Sequence, residues 1–256
     1  MTLREPAMMN TYAQADLRFG VLGPLALWYP GGHRGLTAPK LRGLLTLLLL
    51  DGQPVPPARV RAVLDEDERW RDSAGPMHVA IHRLRRWLDR HGGHRLELEP
   101  GGYRLILAGG EVDAARFGRL VESAAGAADA AERTELLVAA LALWRGPVGM
   151  DAPAAVRRQY AARRLERLRR QATLDLAAAA REARLSGRAL PLIEPVATES
   201  PYDEQVRAAF ALSLAACGLK AEALDVIEQT RHTLAAELGL DAGPHLCDAQ
   251  LRILRA

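Results

Sequence analysis

Aromatic residues make up only 5% of this 256-residue chain, and it has just two cysteines. So few aromatics beside abundant Ala and Leu disfavour a β-rich core and favour helices packed on helices. Cys217 and Cys247 lie in helical patterns and outside any Cys-x-x-Cys, so no disulfide framework is expected; they read as two buried thiols. No stretch reaches the roughly 18 apolar residues of a membrane span. The run Leu44 to Leu50 is too short, and the polar, mixed segment from Met1 to Asp16 is no signal peptide. The expectation is a cytoplasmic protein with no membrane partner. Phosphate loops, dinucleotide fingerprints, zinc-protease helices and nucleophile elbows are all missing. With no nucleophile, acid–base pair or metal set visible, neither an enzyme nor a cofactor is expected.

The charge is unevenly spread. Residues 1–108 carry 15 Lys and Arg against 11 Asp and Glu, while residues 109–256 carry 19 against 20. Five of the seven His also lie in the first part. A basic front on a near-neutral back fits a nucleic-acid head on a protein-binding body, and ordinary charge scatter fits equally.

Residues 1–16 read as a flexible tail. Alternation in Leu17 to Leu22, Leu25 to Tyr29 and His33 to Leu36, broken by Gly23-Pro24 and Pro30-Gly31-Gly32, predicts a small antiparallel sheet. Thr37 is suited to cap a helix that has Pro39 in its first turn and Leu41, Leu44, Leu45, Leu48 and Leu49 as its stripe. Pro56-Pro57 opens a second helix with Val60, Val63 and Leu64 inward, followed by the acidic loop Asp65 to Arg71. A third helix is predicted from Asp72 or Ser73 to Asp89, with Met77, Ile81, Leu84 and Leu88 as its core stripe and His91-Gly92-Gly93 as its end. Arg95 to Leu98 and Tyr103 to Leu107 then flank Glu99-Pro100-Gly101-Gly102 as a hairpin. Three helices followed by a hairpin is the layout of a winged helix, so residues 17–108 are expected to form that domain.

Residues 109–256 read as all-α, with helices over 112–126, 130–144, 152–184, 187–198, 202–217, 219–238 and 243–255. Small residues at the crossings, best seen from Arg207 to Leu234, suggest a tetratricopeptide-like solenoid without a strict 34-residue repeat. The fold class is therefore mainly α with a small β component.

Blocks along nearly the whole chain resemble the Streptomyces antibiotic regulatory protein family of short AfsR/DnrI-like activators. They include Leu17-Arg18-Phe19-Gly20-Val21-Leu22-Gly23-Pro24-Leu25, Leu36 to Leu50, Val79 to Leu88 and Glu99-Pro100-Gly101-Gly102-Tyr103-Arg104-Leu105. They continue through Val112-Asp113 with Phe117, Ala140 to Pro147, Ala221 to Leu224 and Glu237 to Pro244. The resemblance implies an OmpR-type winged helix, the output head of phosphorelay regulators, followed by a bacterial transcriptional activation domain. It also implies an activator of secondary-metabolite genes that binds direct repeats near the promoter −35 region and recruits RNA polymerase, with two copies side by side on the DNA and a place at the nucleoid. Longer relatives carry an ATPase module; here the sequence stops at Ala256, and activity is expected to follow expression level or a ligand of the body. The chain departs from the family pattern in having Leu64-Asp65 where many members have Leu-Trp, in its acidic loop, and in Gly75-Pro76 at the start of the third helix.

On that helix, His78, His82 and Arg85 share the outward face and are expected at bases, since Arg pairs with guanine O6/N7 and His donates or accepts. Arg83 and Arg86 are expected at phosphates, as are Arg95 and Arg104 in the wing. Lys40 and Arg42 near the first helix start are candidates for phosphate as well, with an ordinary exposed lysine the equal reading of Lys40. His78 and His82 also have the spacing of a metal pair, but no third ligand suggests itself. In the body, Arg157, Arg158, Arg163, Arg164, Arg167, Arg169 and Arg170 face one nearby acid, Glu166. Of these, Arg163, Arg167 and Arg170 are candidates for polymerase or upstream DNA, against a plain solvated face. Two other functions stand beside the activator: a ligand-sensing regulator whose body binds a small molecule, and a scaffold whose head binds protein.

Overall fold

The computed structural model describes residues 17–29, 32–33, 36–64, 75–91 and 94–255. The expected tail (1–16), the acidic loop, the cap at Asp72 or Ser73 and Gly92-Gly93 lie outside the described residues. The protein is mainly helical with a small β component. It divides into two compact units, each made of two chain segments: residues up to Phe117 with Leu143–Glu166, and Gly118–Ala142 with Arg167–Ala256.

The first unit contains strands β1 (Leu17–Gly20), β2 (Ala26–Tyr29) and β3 (Gly32–His33). They are followed by helices α1 (Pro39–Asp51), α2 (Pro57–Leu64) and α3 (Gly75–Arg90), and then by strands β4 (Arg95–Glu99) and β5 (Gly102–Ile106). A strand absent from the sequence reading, β6 (Glu111–Val112), pairs parallel with β1, giving the sheet order β3-β2-β1-β6. Two residues are too short for a pattern of period two to be visible. Leu44, Leu48, Val60, Leu84, Leu88 and Leu96 share one core with Phe19 and Leu27 of the sheet. The helix stripes thus meet the strands as their spacing requires.

The start of α1 differs from expectation. Ala38, not Thr37, occupies the N-cap and offers no side-chain hydrogen bond, while Pro39 takes the first helical position. The hairpin β4–β5 is pinned from outside. Val55 and Tyr103 exchange backbone hydrogen bonds of 2.8 and 2.9 Å. Gly102 has φ 143°, and a Cβ there would meet the Val55 carbonyl oxygen at 2.0 Å. Only glycine fits so close a backbone approach. Tyr103 itself is buried in the core of this unit.

Residues 143–166 join this unit because they satisfy the turn between β1 and β2. The amides of Arg145, Gly149 and Met150 donate to the carbonyls of Leu22, Val21 and Gly23, and Leu25 N–H donates to Asp151. Buried backbone groups need such partners, and these are supplied from more than a hundred residues away. Asp113 completes the arrangement by accepting the N–H groups of Val21 and Leu22 at 2.8 and 3.1 Å. The helix predicted over 152–184 is accordingly two: α6 (Ala154–Arg157) and α7 (Tyr160–Glu182), parted at Arg158–Gln159. Helix α4 (Asp113–Ala125) begins at Asp113.

The second unit stacks α5 (Ala130–Leu141), α8 (Ser186–Glu199), α9 (Glu204–Ala216), α10 (Lys220–Thr233) and α11 (Pro244–Arg255) with the rest of α7. Asp129 and Asp203 cap α5 and α9 by accepting the N–H groups of Glu132 and Val206. Ala177, Ala180, Ala197, Ala211 and Ala223 are buried at the crossings, the packing that small residues permit in helix-pair arrays. Helix α10 runs into one π turn, Leu234–Leu238, closed by Gly239 at φ 65°. Both cysteines are half-buried, not buried as expected. No described helix is long and apolar enough to cross a membrane.

Candidate nucleic-acid interface

Helix α3 has two distinct faces. Met77, Ala80, Ile81, Leu84 and Leu88 are buried, while His78, Val79, His82, Arg83, Arg85 and Arg86 are exposed. The 3.6-residue period produces this division, because residues three and four apart lie on one side. His78, His82, Arg83 and Arg86 make no hydrogen bond or ion pair with another described residue. Among the described residues, no group of three His, Cys, Asp or Glu could hold a metal ion.

Arg85 behaves differently. Its Nε–H donates to the Leu96 carbonyl at 2.9 Å, which ties α3 to β4. The sequence groups it with His78 and His82, yet with Nε–H spent on Leu96 only its Nη donors remain for a base edge. The face also holds a residue missed as a contact. Val79 is 51% exposed between the two histidines in sequence. An apolar side chain on an otherwise polar helix face was the available signal, and it suits a thymine methyl.

The expected phosphate-binding residues separate into three groups. Lys40 is exposed in the first turn of α1 and has no described partner. Arg42 is engaged internally: its Nε lies 2.9 Å from the Asp151 carbonyl oxygen and 3.2 Å from the Asp151 carboxylate. That contact holds the 145–151 loop to α1 and removes Arg42 from the phosphate set. In the hairpin, Arg95 pairs with Glu97 at 3.2 Å and Arg104 with Glu99 at 3.6 Å. Such surface pairs are worth roughly 0–1 kcal/mol, so a phosphate can displace either carboxylate.

The basic segment is less free than its sequence implies. Arg163 Nε–H donates to the Arg158 carbonyl at 3.0 Å. Arg170 forks onto Asp203 and also donates to Gln205 at 2.7 Å. The Asp203 hydrogen bond holds the Arg170 guanidinium above its ordinary value against burial, which acts to lower it. Burial alone would raise Asp203, but the Arg170 hydrogen bond, the Val206 N–H and the Arg170 charge outweigh it and hold the carboxyl below its usual range. Arg169 pairs with Glu199 at 2.6 Å. Glu166, the one acid visible locally, accepts the Val148 N–H. The acids that matter are more than 25 residues distant in sequence.

Residues 112–254 match the family model described as the bacterial transcriptional activator domain. The regulatory protein AfsR of Streptomyces coelicolor is 33% identical over 94% of this chain, which spans 24% of that protein. The transcriptional regulatory protein MoaR1 of Mycobacterium tuberculosis is 30% identical, over 97% of this chain and 82% of its own length. Among solved structures, Mycobacterium tuberculosis EmbR in complex with a low affinity phosphopeptide aligns with a TM-score of 0.70 and 28% identity. That alignment covers 94% of this chain and 65% of EmbR. The chain belongs to the Streptomyces antibiotic regulatory protein family of transcriptional regulators, with a bacterial transcriptional activator domain over residues 112–254.

Proposed function

We propose that this protein is a sequence-specific DNA-binding activator of secondary-metabolite genes. Residues 17–108 act as an OmpR-type winged helix, with α3 in the major groove and the β4–β5 hairpin as the wing. The protein binds direct repeats near the −35 region as side-by-side copies and recruits RNA polymerase. The observation that carries this reading is the outward face of α3, where His78, Val79, His82, Arg83 and Arg86 stand exposed over a buried stripe. His78, Val79 and His82 contact base edges. Arg83, Arg86 and Lys40 meet phosphates, and Arg95 and Arg104 follow the backbone from the wing.

Arg163 and Arg167 are the contacts offered to polymerase or upstream DNA. Arg170 serves the helical unit instead, through Asp203. A gel-shift titration on upstream promoter DNA at several salt concentrations tests the central claim. Affinity should fall with a log–log slope of about −0.9 per phosphate neutralised. A head that binds protein and not DNA would give no shift at any salt concentration.

A further inference from the structure

A cleft of about 430 Å³ opens in the second unit between α7, α9 and α11, among Leu174, Arg181, Gln205, Leu212, His245 and Arg252. Pockets of roughly 300–1,000 Å³ hold small molecules. Two guanidiniums line this cleft, and no described carboxylate pairs with either. Arg181 Nη1 is out of contact with solvent and has no hydrogen-bond partner. Neither Arg181 nor Arg252 forms an ion pair with a described residue, and Asp248, also on the cleft wall, pairs with neither. Burial pushes Arg181 below its ordinary value, and the like charge of Arg252 pushes it further. An unpaired, desolvated guanidinium donor is costly unless something compensates it, and repulsion from a second cation adds to the cost. An anion lying between the two arginines removes both penalties at once. Gln205 is held in place by Arg170 on one side and His245, 2.9 Å away, on the other. That part of the wall is therefore fixed before any ligand arrives.

We propose that this cleft binds a small anionic molecule, with one carboxylate or phosphate group between Arg181 and Arg252 and its apolar part against Leu174, Ala208 and Leu212. The arginine fork suits either anion, and the half-buried leucines favour a ligand with a carbon skeleton over a bare ion. This would make the helical unit a sensor as well as a platform, and it does not depend on how the head reads DNA.

The test is thermal unfolding of the full chain with inorganic phosphate or butyrate, against sodium chloride at matched ionic strength. At least one of the two anions should stabilise the protein saturably beyond the chloride control, and the one that does identifies the group bound. Arg252→Ala, at an exposed position that folding tolerates, should weaken that anion at least tenfold, about 1.4 kcal/mol. Arg181→Lys keeps the charge without the fork and should weaken it as well. The Arg83→Ala/Arg86→Ala pair, altered only on the DNA face, should bind the anion as the parent does. Stabilisation no greater than chloride gives overturns the proposal. So does anion binding unchanged by Arg252→Ala but lost with Arg83 and Arg86.

Discussion

Arg85 Nε–H and the Leu96 carbonyl oxygen lie 2.9 Å apart, a single hydrogen bond that joins α3 to the first strand of the hairpin. The bond adds a side-chain tie to the packing of Leu84 and Leu88 against Leu96. Hydrogen bonds to charged groups contribute roughly 1.5–3 kcal/mol when buried, and solvent screening at this exposed position reduces that to about 1 kcal/mol. Arg85→Ala should therefore lower stability by about 1 kcal/mol in urea unfolding and weaken all DNA probes alike. A variant of unchanged stability that stops discriminating one base pair would instead make Arg85 a base reader.

The rest of the α3 face should separate into two kinds of contact. His78→Ala and His82→Ala should each cost about 1–3 kcal/mol on the preferred site and little on unrelated DNA, because base contacts carry discrimination. Val79→Ser should behave in the same way at a thymine. Arg83→Ala and Arg86→Ala should weaken every sequence by a similar factor and reduce the salt slope by about 0.9 each. Competition titrations with specific and mixed-sequence DNA check both classes. Loss of discrimination in the arginine variants alone would reverse the assignment.

Much of this was legible in the sequence, for physical reasons that also mark its limits. The stripe Met77, Ile81, Leu84 and Leu88 fixed the inward face of α3, and with it the exposure of His78, His82, Arg83 and Arg86. Glycines and prolines fixed the hairpin. What escaped were partners far apart in the chain. Arg42 looked like a free cation until Asp151 was brought to it, and Arg170 until Asp203 was. The 145–151 loop could not be placed by periodicity, because its role is to satisfy the backbone of Val21 to Leu25. Gly20 shows the same limit: a Cβ there would meet Arg145 Nη2 at 2.4 Å, a crowding no local pattern reveals.

Asp113 is the buried centre of that long-range arrangement. It accepts from Val21, Leu22 and Arg145. Burial is the largest influence on its carboxyl and raises its pKa, against the Val21 hydrogen bond and the Arg145 charge. Asp113→Ala leaves two buried N–H groups unpaired and should cost about 3 kcal/mol. Because the folded pKa is raised, the stability Asp113 contributes is fully present below its unfolded value, about 3.9, and is lost as pH rises through the folded one. The stability of the parent relative to Asp113→Asn should thus fall as pH rises from acid toward neutral. A difference that grows with pH would show that Arg145 dominates the carboxyl instead.

Arg163 and Arg170 should respond in opposite ways. Arg170→Ala breaks the fork onto Asp203, the residue that caps α9, and should lower the melting temperature while transcription falls only in proportion to folded protein. Arg163→Ala with Arg167→Ala should leave operator binding intact and reduce transcription in a reconstituted polymerase assay. Full transcription by that double variant would remove the basic segment from polymerase contact.

Among the described residues, the cations placed on the DNA face are few: Arg83, Arg86 and Lys40 are exposed with no described partner, and Arg95 and Arg104 are each paired with a glutamate. A single repeat should consequently bind weakly at physiological salt. Two heads on one DNA face, centred about 10–10.5 bp apart, double the contacts and raise the effective concentration of the second copy once the first is bound. A probe with two in-phase repeats should bind at least about tenfold tighter than a single repeat, worth about 1.4 kcal/mol. Inserting about half a helical turn between the repeats puts the second head on the opposite face, and affinity should drop to the single-repeat level. If the single, in-phase and half-turn probes bind equally, the copies do not cooperate and each repeat is read alone.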